Sequence, residues 1–281
     1  MIRSFVVLTA TCAAACALAA DPAPAMRDFK VVVGADIAIE GDGMSATLTA
    51  HTEYQYSWKT EGKERTLLLR NMSVKAKVGD NELMDIKMSR AGLVGRQNGQ
   101  EVDKKFDDAP DELKTMLRDT FGSPLCKLEV DETGKEVKRT VLAKPGAKVA
   151  LDTGMIANAT LFHPPYFANK DQWDAKVAVS AGQGEATGTL TFKKAPGGKG
   201  GQLVKVSGTL TADNVKADNG MTVKGGKYIV TGTQTYDTER KEWIAGKHDM
   251  DITFRLFQGE NELATAKGKM IVTFELIPDR K

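Results

Sequence analysis

The stretch that decides the fold is Asp249-Met250-Asp251-Ile252-Thr253-Phe254-Arg255-Leu256-Phe257. Its even positions are apolar (Met250, Ile252, Phe254, Leu256) and most of its odd positions are charged or hydroxylated. That period of two predicts a strand with one face in a core and the other in water, the habit of antiparallel sheets. Residues 263–277 repeat the pattern, with Met270, Val272, Phe274 and Leu276 on one face.

Working outward, the same alternation predicts strands at 29–39, 45–59, 65–78, 82–90, 125–131 and 136–142 in the first half. In the second half it predicts 173–180, 185–193, 202–213, 222–235 and 243–257. Two interruptions read as helices. In 110–121, Pro110 suits a first helical turn, Asp111 and Glu112 favour its positive end, and Gly122 stops it. Leu113, Met116, Leu117 and Phe121 share a face there. The second runs from Asp152, an N-cap, through Met155, Ile156, Ala159 and Phe162 to Pro164-Pro165. The expected fold class is mainly β. It is a curved antiparallel sheet, half-barrel or barrel-like, with one or two short helices packed on its concave face.

Residues 1–20 read as a secretory signal: Arg3, an uncharged apolar run from Phe5 to Ala20, and the cleavage pattern Ala17-Leu18-Ala19. Lipid anchoring at Cys16 is the lesser alternative, because Ala13-Ala14-Ala15-Cys16 lacks the usual Leu three residues before the Cys. The expectation is therefore an exported chain, periplasmic or extracellular, with no transmembrane segment after cleavage. The remaining organisation is an N-terminal β half (21–142), a connector (143–172) and a C-terminal β half (173–281), read as one continuous domain. Gly79-Asp80-Asn81-Glu82-Leu83 recurs as Gly259-Glu260-Asn261-Glu262-Leu263. The two copies sit at different places in their halves, which favours turn chemistry reached twice over a duplication, with Asn in the tight position.

The 281 residues carry a formal net charge of +2, with both signs interspersed. That balance argues against nucleic acid as a partner. No G-x-S-x-G, H-E-x-x-H or phosphate-loop pattern occurs. His51, His163 and His248 lack metal-pair spacing. The sequence therefore assigns no catalytic residue, no metal and no cofactor, and the chain reads as a non-enzyme. Cys126, on the side of Leu128 and Val130, reads as a buried inert thiol. Asp249 and Asp251 fall on the wet face.

The candidate ligand-binding residues are the aromatic stripe Tyr54, Tyr56 and Trp58, together with Leu113, Met116, Leu117 and Phe121 of the first helix. The stripe either lines a cavity or packs a core. Trp173 and Trp243 each begin a strand, in position to close one end of the sheet. The expected ligand is an apolar small molecule, a lipid or acyl chain, bound in the cell envelope. The alternative is a structural domain that binds an envelope protein through a sheet edge.

Three segments carry a resemblance: Leu128-Glu129-Val130-Asp131-Glu132-Thr133-Gly134-Lys135-Glu136-Val137, Asn169-Lys170-Asp171-Gln172-Trp173, and Tyr236-Asp237-Thr238-Glu239-Arg240-Lys241-Glu242-Trp243. In their order the chain resembles a family of uncharacterised exported bacterial β-rich proteins, a domain of unknown function. It is similar in style to periplasmic lipoprotein-carrier folds. The resemblance implies a curved sheet around an apolar cavity plugged by helices, and it transfers no catalytic residue.

Overall fold

A computed structural model describes residues 25–41, 43–131, 136–142, 159–181, 184–198, 200–216 and 220–278. The leader and most of the second expected helix lie outside the described residues. So does the Asp152 N-cap.

The described chain opens in one meander of six strands. The first five are β1 (Ala25–Gly41), β2 (Met44–Glu61), β3 (Glu64–Val78), β4 (Asn81–Ser89) and β5 (Gly92–Gln97). β6 (Gln100–Lys105) follows, then helix α1 (Asp111–Thr120), β7 (Pro124–Val130) and β8 (Glu136–Val141). The second half supplies β9 (Gln172–Ala181), β10 (Gly184–Ala195), β11 (Gln202–Ala212), the short β12 (Val215–Lys216), β13 (Met221–Asp237), β14 (Glu242–Gln258) and β15 (Asn261–Leu276). All fifteen strands belong to one antiparallel sheet, whose main path runs β6-β5-β4-β3-β2-β1-β15-β14-β13-β11-β10-β9; off it, β7 pairs with β3 and β8, and β12 with β13. β1 pairs with β15 from Phe29↔Leu276 to Gly41↔Ala264, so the two halves share this sheet. The sheet curves without closing, a mainly-β half-barrel with α1 on its concave side.

The one-sided alternation read from the sequence decides which face is concave. Phe29 and Val31 of β1, Tyr54, Tyr56 and Trp58 of β2, and Met270, Val272 and Phe274 of β15 are all buried in one core. Their odd-even partners, such as Asp249 and Asp251, are exposed. β3 forks: Glu64–Leu68 pair with β7, and Asn71–Val78 pair with β4. α1 ends at the fork, where Phe121 bridges Leu69 and the Gly122 amide donates to the Leu69 carbonyl at 2.7 Å. Gly122, at φ 76°, supplies the left-handed turn that ends the helix.

Two local readings change. In both Gly-x-Asn-Glu-Leu turns the tight position is the glycine, with Gly79 at φ 56° and Gly259 at φ 63°, while Asn81 and Asn261 already start the next strand. The hairpin β5–β6 falls in a stretch where no strand was expected. Its turn is Asn98-Gly99, both at positive φ, a pair strongly favoured in tight hairpins.

Candidate functional site

The concave face has two ends of different character. One is plugged by residues 159–168, a chain running over the sheet. Phe162 stacks on Phe274 (centroids 5.5 Å) and lies 4.6 Å from the His248 ring. His163 packs edge-on against Phe29, Trp58 and Phe274. Tyr166 stacks on Tyr236 at 3.8 Å and meets the edges of Trp173 and Trp243. The Trp243 indole donates to the Pro164 carbonyl at 2.8 Å. The two strand-starting tryptophans thus close this end together with Tyr166.

The plug fixes the protonation of its histidine. The Trp58 indole donates to His163 Nε2 at 3.2 Å, which leaves Nδ1 to donate to the Ala159 carbonyl at 3.1 Å. That is the neutral imidazole. Burial pushes its pKa down to about 3, and the Arg65 guanidinium acts in the same direction. His248 lies on the concave face beside Gln234, with 3.1 Å between its Nε2 and the Gln234 amide. Burial takes its pKa down to about 3 as well. Cys126, a residue of β7, is buried, and desolvation pushes its thiol up to about 12, far from a reactive thiolate.

The seven sequence-derived site residues come together on this face. Tyr54 and Tyr56 stack (5.6 Å), and Phe29 stacks on Tyr56 (5.4 Å) and Trp58 (6.0 Å). Leu117 and Phe121 are fully buried in the same core, while Leu113 and Met116 are half-buried against it. Tyr54, Tyr56, Leu117 and Phe121 therefore serve as packing between sheet and helix. Trp58 also borders a cleft of about 640 Å³ at the plugged end, walled by the β13–β14 hairpin and by residues 163–168. Trp243, expected to close this end, also lines it; the basic side chains of the cleft carry no local signal in the sequence, because they are brought together from β1, the β2–β3 turn, β3 and the β13–β14 turn.

At the other end the same alternation continues past the packed cluster. Ile37 of β1 pairs with Leu48 of β2, and Leu48 with Val78 of β3. Ile39 pairs with Ala266, and Ala266 with Phe254; Ala264 pairs with Leu256. Directly paired residues share a face, so these extend the concave apolar surface. Here, however, Ile37, Ile39, Leu48, Val78, Phe254 and Leu256 are only half-buried, and so is Met84 of β4.

The fold defines a class, an open antiparallel half-barrel with an apolar concave face. No family model matches this chain, and no curated protein matches it. Among solved structures it is similar to one described as lipid-protein interactions in lipovitellin. That match has a TM-score of 0.51 and 9% identity, over 90% of this chain and 25% of that one. The chain thus spans a quarter of the lipovitellin chain, and the likeness is one of fold. Two further structures align at scores too low to carry an argument. They are OccK5 of Pseudomonas aeruginosa (TM-score 0.21, 9% identity, 90% of this chain and 98% of that one) and OprB of Pseudomonas putida (0.22, 7%, 89% and 92%). No helix among the described residues is long and apolar enough to cross a membrane.

Proposed function

We propose that this protein is a non-catalytic binder or carrier of an apolar ligand, a lipid or acyl chain, acting in the cell envelope after export by its leader. The observation that carries the reading is the half-buried end of the concave face. Ile37, Leu48, Val78 and Leu256 belong to the apolar pattern, yet the packed core leaves them half-open. Apolar surface of this kind gains about 25 cal/mol per Å² when a ligand covers it. The fold likeness to lipovitellin, a structure described in terms of lipid contacts, supports the same reading. The aromatic stripe and α1 belong to the packed core that borders that surface.

The test is native mass spectrometry of the exported protein purified from an envelope extract, followed by organic extraction and lipid analysis. A stoichiometric acyl-chain adduct, lost in Leu48→Lys, is the expected result. A ligand-free mass that takes up no added oleate overturns the proposal.

A second reading, docking of an envelope protein by strand addition, rests on β8. Its outer edge is unpaired among the described residues, and Val137 (68% exposed) and Val141 (52%) stand out from it.

A further inference from the structure

The plugged end places charge on the apolar face of the sheet. Arg65 precedes Leu67 and Leu69 in the inward alternation of β3, and its cross-strand neighbours are Thr60 and Leu128. Arg27 stands likewise before Phe29, opposite Trp58. Both line the 640 Å³ cleft, as do Lys63, Arg240 and Lys241, against the acids Asp131 and Glu242. The cleft wall is thus net basic. Arg27 is engaged by Glu242 (Nε to Oε2, 3.5 Å), and Arg240 by Asp237 (3.8 Å). Arg65 differs. Its electrostatic neighbours are Tyr236, Glu242 and His163, but it makes no hydrogen bond or ion pair with any described residue.

A guanidinium is a planar fork of five N–H donors that stays charged, and leaving it desolvated without an acceptor is costly. The acceptor geometry it matches best is the paired oxygens of a phosphate or carboxylate. Beside it stands a flat wall, the stacked Tyr166–Tyr236 pair with Trp243 edge-on to both at 6.0 and 5.0 Å. We propose that this cleft is a binding site for an organic anion. Arg65 receives its phosphate or carboxylate, and a ring or other flat apolar body lies against the Tyr166–Tyr236–Trp243 wall. The site is separate from the half-buried surface at the far end of the sheet and does not depend on an acyl chain binding there.

Phenyl phosphate is the probe, titrated by calorimetry and by the fluorescence of Trp58 and Trp243, with inorganic phosphate and phenol as the two half-ligands. Saturable 1:1 binding of phenyl phosphate is expected. Inorganic phosphate should compete at least about tenfold more weakly, and phenol should give no saturable signal. Arg65→Gln should weaken phenyl phosphate binding by about tenfold or more, one such factor corresponding to roughly 1.4 kcal/mol. Arg65→Lys, which keeps the charge and loses the fork, should fall between. Tyr236→Leu should weaken phenyl phosphate and leave inorganic phosphate unchanged, so a failure of Arg65→Gln to fold does not end the test. Three results overturn the proposal: no binding of phenyl phosphate at millimolar concentration, equal affinity in wild type and the Arg65 variants, or phenol binding as well as phenyl phosphate.

Discussion

Acid should destabilise this fold through two histidines, and the size of the effect follows from their burial. An unfolded imidazole has a pKa of about 6.5. In the fold His163 and His248 are both held down to about 3 by desolvation, with Arg65 adding to the effect at His163 and Asp249 opposing it at His248. The unfolded chain therefore binds more protons than the folded one between these values. Stability is complete above pH 6.5 and is lost as pH falls toward 3. At pH 5 the unfolded state gains roughly 2 kcal/mol per histidine, or about 4 kcal/mol for both, relative to pH 8. That is a large part of the 5–15 kcal/mol typical of a domain, so the loss is about as large as a marginal fold can bear. The assay is urea unfolding at pH 8 and pH 5 of wild type, His163→Gln, His248→Gln and the double variant. Glutamine at 163 still offers an acceptor to the Trp58 indole, and glutamine at 248 can pair with Gln234. Carboxylates titrate alike in all four proteins and cancel in the comparison. Each single variant should lose about half of the excess pH dependence and the double variant nearly all of it. Superimposable pH profiles for wild type and double variant would refute the reasoning, because the imidazoles would then be charged inside the fold.

Three further outcomes follow from the packing. Leu117→Ala should cost about 2–5 kcal/mol in chemical unfolding, since Leu117 is fully buried where α1 meets the sheet. Gly246→Val should displace the plug and lower Tm, because a Cβ at 246 would lie 2.6 Å from the Phe162 ring; overpacking of this kind costs about 1–3 kcal/mol. Native Cys126 should resist an aromatic disulfide reagent at pH 8 and react at once in denaturant, as its buried thiol titrates at about 12.

The strands were legible because burial is one-sided: Met250, Ile252 and Phe254 alternate with solvent-facing residues, and that contrast is local. β5 and β6 were not, because Gly92–Gln97 and Gln100–Lys105 lie at a sheet end where little is buried, so their alternation carries few apolar residues. The Asn98-Gly99 pair was the available signal. The grouping of Tyr54, Tyr56, Trp58 and the α1 stripe on one face was legible from period and parity. What those residues pack against was not, since the plug at 159–168 comes from more than a hundred positions beyond the aromatic stripe and its docking is a long-range event. Arg65 illustrates the same limit. Parity with Leu67 and Leu69 turns it inward, but only the arrival of Tyr236 and Glu242 from the β13–β14 hairpin makes that position a cleft wall.

The two ends of the concave face hold opposite chemistry, and the residues between them decide whether one ligand can use both. Along β3 the path from Arg65 to Val78 passes Leu67, Leu69 and Met72, all buried. At about 3.3 Å per residue that path is roughly 40 Å long. An amphiphile with its head at Arg65 and its chain at Val78 would have to separate the sheet from its own aromatic core, forfeiting the contacts of Phe29, Tyr56 and Phe162. Two independent sites are the lower-energy arrangement. Saturating the cleft with phenyl phosphate should therefore leave oleate uptake unchanged, and Leu48→Lys should abolish oleate uptake while phenyl phosphate still binds. Competition between the two ligands would mean instead that the plug leaves and the whole concave face becomes a single groove.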